Sequence, residues 1–342
     1  MGKDGGEFAR QAAICRDMAS PFTAAVLEAG AAVLHRGPLT EVKIANWPGS
    51  RGDAAVALRF ASAFHALARA HADPALVRLY KDRDGDFAQV IGDALATQDR
   101  FVADWIDGAP QTNEVGRTAA IMAALMAAAD AFPGMPFDLL ELGSSAGLNL
   151  NLGRFGYVLG GVTAGNAMAL LRIEPEWRGP PPPAASVRIA SARGVDIDPL
   201  DIADPAVRER LRAYVWADQD ARAARLDAAI ALAEAHPPRI DRGDAVAWLR
   251  ARLAEPQGAG TVRAVFHSIV LQYLAPEARA EVLHLLAEAG QCATPDRPLA
   301  HVSFEWDDAR DCVRLHLTLW PGGERRTLAL CQAHGGWVEW NS

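Results

Sequence analysis

A turn of small residues directly after an apolar run is the segment of this chain best suited to bind a ligand through its backbone. The run reaches Glu141, and Gly143, Ser144, Ser145 and Gly147 follow it. A short unbroken apolar run is typical of a buried parallel strand. Glycines permit steep turns, and the backbone amides at the start of a following helix attract a carboxylate. We therefore expect a cofactor-binding loop here, with a tight turn that binds no ligand as the simpler alternative.

Two later segments place polar side chains where strands are expected to end. Asp196 stands in Gly-Val-Asp-Ile-Asp-Pro, and His267 and Ser268 follow the apolar residues Val265 and Phe266. A carboxylate accepts hydrogen bonds from two neighbouring hydroxyls at once. Open α/β sheets bind their ligands at the carboxyl ends of the strands, so these side chains are expected to share one site.

Each of these residues also has a simpler structural interpretation. Asp196 could cap a turn at the Asp-Pro step, and Asp198 and Asp201 are competing carboxylates. Asp244, in Arg-Gly-Asp-Ala, could contact a ligand, cap the helix that follows, or do both. His267 has the side chain best suited to a general base near neutral pH, but histidines at strand ends are often satisfied by their neighbours.

A long helix is expected to lead into the first strand. It opens near Asn113 and ends near Phe132, and Thr112 or Asn113 is suited to accept from the unpaired amides of its first turn. We predict that Asn113, Glu114 and Arg117 project over the site and contact cofactor or substrate. Alternatively, Glu114 and Arg117 form an i,i+3 ion pair at the surface.

The elements that position these residues differ between two parts of the chain. Up to about residue 133, apolar residues recur at helical spacing, which predicts an all-helical N-terminal region at 1–135 covering the site. From residue 136, short apolar runs alternate with helical patterns, which predicts an α/β domain at 136–342 with a mostly parallel sheet. Strands are expected at 137–141, 187–195, 239–241, 261–267, 299–305, 313–319 and 326–332, and helices near 205–235, 244–254 and 276–289.

An insertion at 151–186 interrupts this pattern. It is rich in glycine at its start and ends in four consecutive prolines, which hold a backbone extended. Tyr157, Trp177 and Arg178 within it could cover a substrate. An exposed surface flap anchored by an aromatic side chain is the simpler account.

Taken in order, these segments resemble the class I S-adenosylmethionine-dependent methyltransferases. The turn is similar to their first motif, Glu/Asp-x-Gly-x-Gly-x-Gly, with Ser145 at the middle glycine. The resemblance implies a Rossmann-like core with a C-terminal antiparallel hairpin around Pro321-Gly-Gly, S-adenosylmethionine as cofactor, and His267 as the catalytic base or substrate contact. The implied cofactor-binding residues are Glu141, Gly143, Ser144, Ser145, Gly147, Asp196, Asp244 and Ser268. The whole chain also resembles family 2332 of the bacterial domains of unknown function.

Three functions therefore remain open. The first is a methyltransferase acting on a small molecule or a polar side chain. The second is a catalytically inactive, methyltransferase-like binding or scaffold protein, which Ser145, Arg263 and the long insertion favour because they depart from the family pattern. The third is a nicotinamide oxidoreductase, although Asp196 comes much later than the about 20 residues usual after the glycines of dinucleotide folds.

Composition limits the partners. The net charge of −8 argues against bulk nucleic acid, because binding to phosphates requires clustered Lys and Arg. The apolar stretch 118–129 is too short to span a bilayer, and the N-terminus shows no secretory signal, so we expect a cytoplasmic protein without membrane association. The oligomeric state does not follow from the sequence.

Two Cys–His pairs were considered as a zinc site. Cys312 with His316 and Cys331 with His334 carry suitable donors, but both pairs fall in expected strands. Residues 331 and 334 would then point to opposite faces. Packed thiols and surface histidines are the preferred interpretation, and no metal is expected.

Overall fold

The computed structural model describes residues 5–307, 309–310 and 312–341. The chain divides into two compact units, of which one comprises Met1–Thr112 with Asp204–Ala224 and the other Asn113–Ala203 with Arg225–Ser342. The domain boundary expected at residues 135/136 stays a prediction. The two compact units first separate between Thr112 and Asn113.

The described helices and strands are as follows. The α-helices are α1 Gly5–Asp17, α2 Pro21–Val33, α3 Pro38–Ala45, α4 Val56–Arg69, α5 Pro74–Asp82, α6 Phe87–Trp105, α7 Thr118–Ala131, α8 Pro205–Tyr214, α9 Asp220–Ala235, α10 Ala245–Ala254 and α11 Pro276–Gln291. The strands are β1 Phe137–Leu142, β2 Gly156–Leu159, β3 Val162–Gly165, β4 Arg172–Ile173, β5 Glu176–Arg178, β6 Ile189–Asp196, β7 Ile240–Arg242, β8 Val262–Ser268, β9 Leu299–Trp306, β10 Val313–Trp320, β11 Glu324–Cys331 and β12 Trp337–Trp340.

The first unit is a bundle of helices with an aromatic core. Proline begins α2, α3, α5 and α8, where its missing N–H group costs nothing. The rings of Phe8, Phe60 and Phe64 pack in sequence, with centroid distances of 5.2 and 4.9 Å. Phe60, Phe64 and Leu67 are buried, as the helical spacing predicts.

The second unit is built on a nine-stranded sheet with the order β5-β12-β11-β10-β9-β8-β1-β6-β7. Strands β7, β6, β1, β8 and β9 are parallel neighbours. The α/β class is confirmed, and the seven expected strands are present with their ends shifted by one or two residues. The antiparallel part is larger than the predicted hairpin, because β9, β10, β11 and β12 pair in succession. Strand β5 extends the sheet further and is parallel to β12.

Helices fix this sheet by covering its apolar residues. Every residue of β8 is buried, as expected for a strand between two parallel neighbours. Helices α10 and α11 contribute to one core cluster with residues of β1, β6, β8 and the start of β9. Helix α7 packs against β9, β10 and β11. The positions of the strand ends are therefore well determined by packing.

The surface-flap prediction for 151–186 is wrong for its first half. Strands β2, β3 and β4 form a small sheet, and Phe155, Tyr157 and Leu159 are buried. Strand β5 pairs with β12 at the end of the large sheet. The sequence did not predict these short strands because glycine and proline both lower strand propensity.

The α-helices of the described residues are between 8 and 19 residues long. None of them combines the length and the apolar character needed to cross a bilayer.

Candidate functional site

The carboxyl ends of five parallel strands define the candidate site. Strand β1 comes first in the chain but lies between β6 and β8 in the sheet. The chain therefore continues to β6 and β7 on one side of β1 and to β8 and β9 on the other. Open α/β sheets bind ligands at such a switch point, outside the carboxyl ends of the strands.

The predicted side chains lie along this edge. Glu141 is the penultimate residue of β1, Asp196 ends β6, and His267 and Ser268 end β8. Asp244 follows β7. The structure thus brings five residues that are distant in sequence to the ends of four neighbouring strands.

The turn after β1 has an unusual backbone. Gly143, Ser145 and Gly147 all adopt positive φ angles, of 67°, 53° and 70°. Residues with side chains rarely adopt this region, so Ser145 occupies a position where glycine would be less strained. The turn leads into a short 3-10 helix, Leu148–Arg154.

The glycines of this turn face the protein's own side chains. A Cβ atom on Gly143 would lie 2.6 Å from Val270 Cγ2, and one on Gly147 would lie 2.7 Å from Pro238 Cβ and Ile240 Cδ1. Ser144 is fully buried, and its hydroxyl donates to the backbone oxygen of Glu141. In this conformation the absence of side chains at the glycines makes room for neighbouring residues.

Asp196 holds the turn in place. One carboxylate oxygen accepts from the Ser145 amide at 2.8 Å, and the other accepts from the Asp198 amide at 2.9 Å. Both carboxylate oxygens therefore accept backbone donors of this chain. Asp198 is exposed and forms a 2.6 Å ion pair with Arg242.

Glu141 is a buried carboxyl at the centre of the edge. It is 2% exposed, and burial raises its pKa from 4.5 to about 8, although contacts with Asn149 and Ser144 act in the opposite direction. Asn149 Nδ2 donates to Glu141 Oε1 at 3.4 Å, but Glu141 Oε2 and Asn149 Oδ1 have no hydrogen-bond partner in the described residues. Two neighbouring side chains thus each have one buried polar atom without a partner among the described residues.

The residues before α7 form hydrogen bonds with neighbouring segments of the chain. Asn113 Oδ1 accepts from the Leu148 amide at 2.9 Å, so Asn113 anchors the end of the turn after β1. The cap at the 3-10 turn Val115–Arg117 is Glu114, which accepts from the Gly116 amide. Our prediction that Thr112 or Asn113 caps this end is wrong, and the interpretation of Glu114 as a surface residue is wrong because it is buried.

Arg117 connects three segments of the second unit. Its Nη1 donates to the backbone oxygen of Ser268 and its Nε to that of Ala333, both at 2.9 Å. Arg117 also acts electrostatically on Glu141, where its positive charge lowers the pKa. The guanidinium therefore supports the ends of β1 and β8.

Two predicted site residues have clear structural contacts. Asp244 is the N-cap of α10, and its carboxylate accepts from the Ala247 amide at 2.9 Å. Tyr157 is 2% exposed, and its hydroxyl donates to the Leu152 backbone oxygen at 2.8 Å. Of these two, only Asp244 stands at the strand ends with an exposed side chain.

His267 belongs to a buried hydrogen-bonded chain. It has no exposed surface, its Nδ1 lies 2.6 Å from Glu305 Oε1, and its Nε2 lies 2.9 Å from His301 Nε2. The same oxygen of Glu305 accepts from the amides of Val270 and Leu271. Glu305 therefore fixes both the imidazole and the segment that follows β8.

Glu305 and His301 were missed at the sequence level. A signal was present, since His301, Ser303 and Glu305 alternate with apolar residues along an otherwise buried strand. Such a period of two predicts a polar stripe on one face of the sheet.

Arg263, which departs from the methyltransferase pattern, caps a helix. Its Nη1 donates to the backbone oxygens of Arg252 and Glu255, each at 3.0 Å, at the end of α10. It lies near the start of β8 and so is far along the strand from His267. Its role in the described structure is to satisfy helix carbonyls.

No group of three or more His, Cys, Asp or Glu side chains is arranged to hold a metal ion within the described ranges. Cys312, His316, Cys331 and His334 are not gathered into such a group in the described part of the chain. His316 Nδ1 instead lies 3.0 Å from the Thr327 hydroxyl.

Comparison with known proteins gives a family. The family model described as "Uncharacterized protein conserved in bacteria (DUF2332)" matches residues 6–340. No curated protein and no solved structure matches the chain. The match extends over both compact units.

Proposed function

The chain belongs to the bacterial family DUF2332, and from the geometry of the sheet edge we propose that it is an S-adenosylmethionine-dependent methyltransferase. One observation carries this proposal: a turn with three positive φ angles follows the central strand at the topological switch point. The acceptor is a small molecule or a polar side chain. The net charge of −8 supports an acceptor other than bulk nucleic acid.

The chemistry of the edge supports this cofactor. Glu141 Oε2 and Asn149 Oδ1 are buried without a hydrogen-bond partner in the described residues. A bound ammonium group would donate to both and would favour the ionised form of Glu141. Asp196 and Asp244 supply carboxylates to the neighbouring strand ends. Ile197 and Tyr273 are 76% and 70% exposed, and large exposed apolar side chains beside a polar edge suit the face of a purine.

The bound cofactor would supply an electrophilic methyl group, and the chain's own residues would hold and orient the reactants. In the proposed mechanism Asn113 and Asp196 keep the turn in one conformation, and Arg117 fixes the end of β8. His267 has both ring nitrogens engaged, so we assign it a positioning role, in which it orients Glu305 rather than meeting an acceptor. Val270 must move away from Gly143 for the cofactor to approach the turn closely.

Binding of S-adenosylmethionine tests the proposal. Calorimetric titration should give saturable heat, and Asp196→Ala should weaken the affinity about tenfold or more through loss of a charge-assisted hydrogen bond. Asp196→Asn keeps one oxygen that accepts from the Ser145 amide. This variant therefore distinguishes a direct loss of cofactor binding from a loss of the turn's conformation. Asp198→Ala is the matched control in the same segment. Saturating heat that neither Asp196 variant reduces, or no heat at all, overturns the proposal.

A second function has its own supporting observation. The space beside Gly143 and Gly147 is filled by Val270, Pro238 and Ile240, and Asp196 already accepts two backbone donors. This favours a catalytically inactive binding or scaffold protein with the same fold. Incubation of a cell lysate with the protein and methyl-labelled cofactor distinguishes the two. A labelled product that depends on the protein eliminates the inactive alternative, whereas cofactor binding without any product supports it.

A further inference from the structure

A polar surface covers one face of the sheet beside the candidate site. Across the four strands β8 to β11, the register pairs His267 with Ser303, Ser303 with His316, and His316 with Thr327. Paired residues of neighbouring strands project to the same face. One row of four polar side chains therefore runs across the sheet.

A second row lies next to the first. The register pairs Val265 with His301, His301 with Thr318, and Thr318 with Arg325. The contact between His267 and His301 joins the two rows at 2.9 Å. We call the seven polar residues the polar face: His267, His301, Ser303, His316, Thr318, Arg325 and Thr327.

The polar face differs from the other side of the same strands. The alternating residues Val302, Phe304, Leu315 and Leu317 are apolar and buried. The packing of α11 against β8 and β9 involves Val265 and Leu299, which precede the polar positions along these strands. The sheet therefore changes from an apolar to a polar surface as its strands approach the carboxyl edge.

Two hydroxyls of this face lack partners. Ser303 and Thr318 are 5% and 6% exposed, yet neither side chain makes a hydrogen bond within the described part of the chain. Neither hydroxyl oxygen is among the fully buried side-chain atoms without a partner, so both keep some access to solvent. A ligand with oxygen acceptors would satisfy both hydroxyls.

The charge at the polar face is positive. Arg325 is exposed and has no ion-pair partner among the described residues. Glu305 lies on the same face, two residues after Ser303, and is engaged because it accepts from His267 and two amides. Asp307, directly after β9, lies 3.5 Å from Arg314.

Two of the three histidines of the face, His301 and His316, complement this charge as neutral donors. Burial lowers the pKa of His316 to about 4, with Arg325 and Arg314 as further causes. Burial, followed by the charges of His267, Arg325 and His316, lowers the pKa of His301 well below its ordinary value. Each imidazole therefore carries one N–H group at neutral pH.

We propose that the polar face binds a small oxyanion, a carboxylate or a phosphate group, through Arg325, His316 and the hydroxyls of Ser303 and Thr318. Guanidinium and hydroxyl donors match the oxygens of such a group. The face adjoins the end of β8, so this oxyanion belongs to the methyl acceptor. That last assignment rests on the proposed function, whereas the binding site does not.

Titration with inorganic phosphate and, separately, with acetate tests the site and distinguishes the two oxyanions. Binding should move the imidazole NMR signals of His301 and His316 in a saturable manner. Arg325→Gln should weaken the affinity about tenfold. Arg326→Gln is the matched control, because Arg326 is the next residue of β11, is equally exposed, and projects to the opposite face.

The outcomes separate the site from the function. Loss of affinity in Arg325→Gln but not in Arg326→Gln supports the site, even if S-adenosylmethionine does not bind. Equal losses in both variants indicate general screening of charge and overturn it, as does the absence of saturable shifts with either anion. Thermal unfolding of both variants shows that the substitutions leave the fold intact.

Discussion

At the scale of single residues, Glu141 is the side chain with the most unfavourable environment. It is the penultimate residue of the central strand β1, is 2% exposed, and has one oxygen without a partner among the described residues. The folded protein binds its proton up to a pH of about 8, whereas the unfolded chain releases it near pH 4.5. Between these values the native state holds more protons than the unfolded state, so stability falls as the pH rises.

We therefore predict a pH-dependent effect of Glu141→Gln. The variant removes this titration. Its unfolding free energy relative to the wild type should therefore rise by about 1.4 kcal/mol per pH unit between pH 4.5 and about 8. Urea unfolding across this pH range measures the difference. A constant difference over the whole range would show that Glu141 is not held neutral by burial.

His267 is the second residue whose environment gives a prediction. His267→Asn should lower the free energy of unfolding by about 2 kcal/mol or more, because Glu305 and His301 lose a buried partner. His284→Asn is the matched control, since His284 is exposed on α11 and its pairing with Glu288 is at the surface. Chemical unfolding should leave the control within about 0.5 kcal/mol of the wild type. Similar losses in both variants would contradict the buried chain.

At the scale of elements, the turn after β1 and the segment after β8 form one unit of structure. Ile269 has a φ angle of 56°, which is rare for a β-branched residue, and Val270 contacts Gly143. Glu305 holds this segment through the amides of Val270 and Leu271. Strained backbone is retained where the surroundings fix it, often near functional sites.

The contact with Val270 predicts a coupled effect of Gly143→Ala. A positive φ alone should cost about 1 kcal/mol, as in the control Gly134→Ala, where φ is 76° and nothing lies near the added Cβ. Gly143→Ala should cost about 1–3 kcal/mol more through overpacking, and Val270→Ala in the same chain should recover part of this loss. The unfolding free energies of Gly134→Ala, Gly143→Ala, Val270→Ala and the double variant Gly143→Ala/Val270→Ala test the coupling. Equal costs at both glycines would show that Val270 adapts freely.

At the scale of the whole molecule, the large sheet should be the most stable part of the second unit. Strands β1 and β8 lie between parallel neighbours, and β8 is buried along its full length. Amide exchange followed by mass spectrometry should be slowest in these two strands and faster in the edge strands β5 and β7. Slower exchange at either edge would contradict a core centred on β1 and β8.

The sequence by itself determined the elements of this sheet. Runs of the right length, either apolar throughout or alternating with polar residues, predicted β1, β6, β8, β9, β10 and β11. Burial of apolar side chains on one or both faces of a strand leaves a direct mark on local composition. Glu141, Gly143, Gly147 and His267 were also identifiable as residues at strand ends. The short strands β2 to β5 escaped because their glycines and prolines carry little strand signal.

Only the tertiary structure decided what those residues contact. Asp196 bonds to Ser145, Val270 occupies the space beside Gly143, and Glu305 reaches His267 from β9. These partners are separated by 38 to more than 100 positions in the chain, and local sequence carries no record of which strands become neighbours. Strand order and register are set by packing of the whole sheet. The buried atoms of Glu141 and Asn149 that lack partners, and the polar face of β8 to β11, therefore arise only when the strands assemble.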